Sequence, residues 1–126
     1  DGMVANLPPS LFIASEDGGY WTYPPFESKV TYLFELVPPP SVEVTICGAD
    51  HMDYDPAAIF PRFFAPPGSA DEVEVRAIAS RYAIAWFGLI LQDDGASWES
   101  YISGAKAQAD IESGKVMIRT RLVAPD

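Results

Sequence analysis

The sequence predicts a mainly β chain: a single-domain antiparallel β-sandwich or small β-barrel with one short helical turn. Three observations lead there. Proline clusters cut the first half into short extended runs, apolar residues alternate with period two in several of those runs, and the C-terminal third reads as a hairpin. The second-best reading is an α+β chain with a helix at about 69–87.

Eleven of the twelve prolines lie at or before Pro67. Proline fixes φ and cannot donate to a sheet ladder, so these clusters bound extended segments. The runs between them are Leu11–Ser15, Tyr20–Tyr23, Lys29–Val37 and Val42–Cys47. Glu16-Asp17-Gly18-Gly19 reads as the turn joining the first two. In Lys29–Val37 the residues Val30, Tyr32, Phe34 and Leu36 form an apolar face. Val42, Val44 and Ile46 alternate with Glu43, Thr45 and Cys47, the pattern of a half-buried strand. Asp55-Pro56 is a good helix start, and Pro61 ends it, giving a turn at Pro56–Phe60. Phe60, Phe63 and Phe64 then plug one end of the core.

The segment 69–92 supports two periods. Ser69-Ala70-Asp71-Glu72 matches a capping box, and Val75, Ile78/Ala79, Tyr82 and Trp86 fit a helical stripe. Against that, Val73, Val75, Ala77 and Ala79 alternate with Glu72, Glu74, Arg76 and Ser80. Tyr82 to Leu91 is uncharged, suits a strand covered on both faces, and stops at Asp93-Asp94-Gly95, a turn signal. Alternation favours a long strand or strand pair bulged near Ser80. At the C-terminus, a two-residue turn at Ser113-Gly114 sets Ile111 opposite Val116, Ala109 opposite Ile118 and Ala107 opposite Thr120 on one apolar face.

One domain is expected for 126 residues, 48% of them hydrophobic. A start at Asp1 rather than Met implies that something was removed upstream. Cys47 is the only cysteine, so no intrachain disulfide forms. No run reaches the about 20 apolar residues that a bilayer crossing needs. Eighteen acidic against eight basic residues give a net charge of −10. Such a chain is repelled by nucleic acid and by anionic membranes, and a basic protein partner is favoured, although solubility alone is the simpler reading of the charge.

Four groups carry possible chemistry. Asp50, His51, Asp53 and Asp55 offer three carboxylates and the single imidazole on one loop, but the spacing is not that of an EF-hand, and a solvated acidic loop is the simpler reading. Cys47 stands four residues from His51, within range of a nucleophile pair only if the fold brings them together; a small buried residue at a strand end is the plainer role. Tyr20, Trp21 and Tyr23, ahead of Pro24-Pro25-Phe26, place aromatic anchors on a rigid loop, with Trp98 and Tyr101 as a second pair. No nucleophile elbow, phosphate loop or paired cysteine motif is present, and no cofactor is expected. The expected function is therefore a non-catalytic interaction module, acidic and inhibitor- or immunity-like, presenting the aromatic loop or an acidic face to a protein partner. The alternatives are a small barrel enzyme or ligand carrier whose apolar interior holds a small molecule, with Asp50, His51, Asp53 or a buried Tyr82 supplying polar chemistry, and a structural protein that self-associates through strand edges.

Overall fold

The computed structural model describes residues 8–17, 33–54, 68–98 and 104–121, without the side chains at 17, 51, 52, 97 and 98. Among them the chain is α+β. A three-stranded open sheet has the order β1 (Ser10–Asp17), β2 (Ser41–Asp50), β3 (Val116–Arg121), with β1 parallel to β2 and β3 antiparallel to it. The sandwich or barrel expected from alternation is not formed.

β2 is central because both of its faces can be covered. Val42, Val44 and Ile46 point to one side, where they bury against a long helix, α1 (Glu72–Gln92). Ile13 of β1 and Ile118 of β3 stand beside Val44 on this face, and Val116 stands beside Ile46. Ser41 and Glu43 point to the other side and are buried too.

That second side is closed by a helical turn at 33–36, where a strand was expected across Lys29–Val37. Phe34 and Val37, three apart on one helical face, bury, while Leu33 and Leu36 stay exposed. The Phe34 ring meets Phe12 edge-on at 6.2 Å and lies under the Arg119 guanidinium at 4.6 Å. Arg119 also pairs with Glu43 at 2.9 Å and Glu35 at 2.8 Å. Arg121 Nη1 donates to the carbonyls of Phe34, Glu35 and Val37 at 3.0, 2.9 and 2.8 Å, satisfying acceptors that a helix end leaves open.

α1 replaces the bulged strand expected at 71–91. Its start is local chemistry: the Asp71 carboxylate accepts the N–H groups of Val73 and Glu74 at 3.0 Å each, and Glu72 and Glu74 face the positive end of the helix dipole. It ends where Asp93 turns left-handed (φ 54°), and the N–H groups of Asp93 and Asp94 take up the carbonyls of Leu89 and Gly88. Val75, Ile78, Tyr82, Ala85 and Trp86 form its buried stripe. The expected Asp93-Asp94-Gly95 hairpin turn is thus a helix stop, followed by a single turn at Gly95–Trp98.

The predicted C-terminal hairpin is also corrected. Its first half is a helix, α2 (Ala105–Glu112), and Gly114 at φ 72° follows the helix end rather than joining two strands. The N–H groups of Ser113, Gly114 and Lys115 return to carbonyls of Ala109, Ile111 and Asp110. Only Ala107 of the supposed apolar face of α2 is buried. β3 does form, but pairs with β2, Val44 opposite Ile118 and Ile46 opposite Val116.

The helix expected at Pro56–Phe60 and the plug of Phe60, Phe63 and Phe64 lie outside the described residues.

Candidate functional site: the outer face of the long helix

Three regions hold the polar and apolar groups from which a site could be built. The first lies at the C-terminal ends of β1 and β2. Gly48 there is left-handed (φ 69°), at an irregularity after which the parallel pairing of Ser15 with Ile46 resumes in a shifted register at Asp17–Asp50. Its N–H donates to Glu16 Oε2 at 2.7 Å and its carbonyl accepts from Ala70 at 2.9 Å. Gly68 lies so close that a Cβ would stand 2.1 Å from the Gly48 carbonyl and 2.8 Å from Asp53 Oδ2. The Asp53 carboxylate is fully buried and accepts the Asp50 N–H at 2.7 Å, and the Asp53 carbonyl accepts from Arg76 at 3.2 Å.

This corrects the picture of a solvated acidic loop for two of its four members. Asp50 and Asp53 are buried, and the Asp53 carboxylate braces the end of β2. Asp55 and the His51 side chain lie outside the described residues. Among the described residues no three His, Cys, Asp or Glu side chains are grouped to hold a metal. Burial, and then the charge of Glu16, push the Cys47 thiol above its usual range, which leaves little thiolate at neutral pH.

The second region joins α1 to α2. Asp110 Oδ2 accepts from the Tyr82 hydroxyl at 2.9 Å and forms an ion pair with Arg81. Burial, the Asp110 hydrogen bond and its charge all raise the Tyr82 pKa, so the phenol stays protonated. Tyr82 is fully buried and serves as an anchor between the two helices. The recess beside it, lined by Arg81, Lys106, Ala109 and Asp110, is open.

The third region is the outer face of α1. Val73, Ile84, Phe87 and Leu91 are 63%, 71%, 58% and 74% exposed, and Ala77 and Ser80 continue the same line. A groove of about 260 Å³ follows its second half along Ile84, Phe87, Gly88, Leu91, Gln92 and Asp94. That is below the ~300–1,000 Å³ of small-molecule pockets, so the face suits a flat, extended contact rather than an enclosed ligand.

None of these six residues stood out for binding in the sequence. The signal was present, since 73, 77, 80, 84, 87 and 91 are spaced four and three apart in turn, but it is visible only once the segment is read as a helix. Tyr20, Trp21, Tyr23 and Tyr101, with the Trp98 side chain, lie outside the described residues. No described helix is long and apolar enough to cross a membrane. Comparison of the chain with protein-family models, with curated proteins and with solved structures finds no match.

Proposed function

We propose that this chain is a non-catalytic interaction module whose binding surface is the outer face of α1, docked against another polypeptide. The observation that carries this reading is the continuous, uncharged stripe Val73–Ala77–Ser80–Ile84–Phe87–Leu91, left exposed along the helix. Singly exposed apolar residues are ordinary, but an ordered row of them on a rigid element marks a protein contact. Helix-in-groove and helix-on-helix recognition both use anchors at this spacing. The barrel carrier loses its architecture with the open sheet, and of the groups meant for its chemistry the Tyr82 hydroxyl is committed to Asp110 and the Asp53 carboxylate to the Asp50 N–H.

A photo-crosslinking amino acid placed at Ile84 of the full chain, expressed in its own host, should form a discrete adduct with a polypeptide. The same group at Gln108, an exposed position on α2, should not. Equal or no adduct at the two positions would refute the assignment.

A further inference from the structure

From the pattern of the stripe we infer that its occupant is a second copy of this chain, packed antiparallel, α1 on α1, about a two-fold axis near Tyr82. This rests on the reading of the outer face as the binding surface and names what fills it. The four-three spacing is the seam of a left-handed helix pair. Turning a copy end for end about residue 82 sets Val73 opposite Leu91, Ala77 opposite Phe87, and Ser80 opposite Ile84. Each large side chain then meets a small one, apart from the terminal pair, and the surface complements itself as a two-fold contact requires. A parallel pair would stack Phe87 on Phe87 and Ala77 on Ala77, crowding one end and leaving the other hollow.

Charge selects the same occupant over a basic protein. The chain carries −10 overall, but the stripe itself is uncharged. The residues flanking it are Glu74, Arg81 and Gly88 on one side and Arg76, Ala83 and Ile90 on the other. Arg81 is paired with Asp110 and Glu74 with Lys115 within the chain. The stripe itself offers a cationic partner no carboxylate along its length, whereas two copies meet along a strip low in net charge between its acidic ends. At its ends the antiparallel pair brings Asp71 and Glu72 toward Asp93 and Asp94 of the second copy, so added salt should tighten the dimer by screening them. The seam is about 27 Å long, which places this contact among small, exchanging interfaces of less than ~1,200 Å².

The test is sedimentation of the full chain up to millimolar concentration, in a Cys47→Ser background for the crosslinking arm. A concentration-dependent species at twice 13.7 kDa is expected, strengthened by salt. Ile84→Gln with Phe87→Gln adds no charge, suits a helix, and should weaken it roughly tenfold or more. With a short thiol crosslinker, a mixture of the Val73→Cys and Leu91→Cys chains should link, and either alone should not. Linking of each alone and not of the mixture means a parallel pair and overturns the inference. A dimer untouched by the double Gln change pairs elsewhere, through strand edges for instance, and overturns it as well. A chain monomeric throughout, with residue 84 crosslinking to a different polypeptide, overturns self-pairing and leaves the interaction surface standing. A monomer giving no adduct overturns both.

Discussion

The two long faces of α1 are nearly equal in apolar content and opposite in fate. Val75, Ile78, Tyr82, Ala85 and Trp86 lie buried, while Val73, Ile84, Phe87 and Leu91 stand in solvent. Composition does not separate the two sets; what lies against them does. Among the described residues the sheet is three strands wide and packs against one side of α1. Burial inside one chain makes a core, and the same chemistry left outside makes a surface with association to gain.

Substitutions on the two faces should therefore separate stability from assembly. Trp86→Ala removes a large buried ring from the inner face and should cost about 3–5 kcal/mol in urea unfolding of the monomer. Phe87→Gln, one residue on, should change monomer stability by only about 0.5 kcal/mol. Comparable losses at the two positions would erase the distinction.

Tyr82 sharpens the comparison through pH. Its folded pKa is raised from the ordinary 10.0, so its contribution is complete below about pH 10. Above that the unfolded chain loses the phenolic proton while the folded chain keeps it, and stability falls as pH rises. Tyr54 and Cys47 are raised in the same direction and add to the fall. Tyr82→Phe should flatten the stability–pH curve above pH 10 and, by removing one of the two donors to Asp110 Oδ2, cost about 1 kcal/mol at neutral pH. An unchanged slope would mean that the hydroxyl is not held as described.

The smallest effect belongs to the exposed ion pair at the helix edge. Glu74 and Lys115 are both close to half exposed, so Glu74→Gln should shift thermal unfolding by less than ~0.5 kcal/mol.

β1 was legible as a run bounded by proline, and β2 because its alternation has contrast. Val42, Val44 and Ile46 against Glu43 and Thr45 admit one period, and proline bounds the run. The parallel pairing of β1 with β2 was not legible, since residues 18–40 carry no long helical stripe to announce a crossover. α1 ranked second to a strand, as the helix at about 69–87, because a helix apolar on two sides gives little amphipathic contrast, and its ten uncharged residues from Tyr82 to Leu91 mimic a strand covered on both faces. α2 is short, and Ser113-Gly114 serves a helix end as readily as a hairpin, so the alternation of Ala107, Ala109 and Ile111 tipped the reading the wrong way. Val116, Ile118 and Thr120 do share a face as alternation predicted, against β2 rather than 105–112. The outer stripe could not be seen until the helix was known.

The grip of Arg119 and Arg121 on the turn at 33–37 spans 84 to 87 positions of sequence. A chain leaving the ribosome therefore cannot finish the far layer of its sheet until Arg121 has emerged, and β3 then closes both layers in one step. Loss of β3 would strip Val116 from the core beneath α1 and unfasten the opposite layer together, so disrupting this strand should cost the fold far more than its six residues suggest.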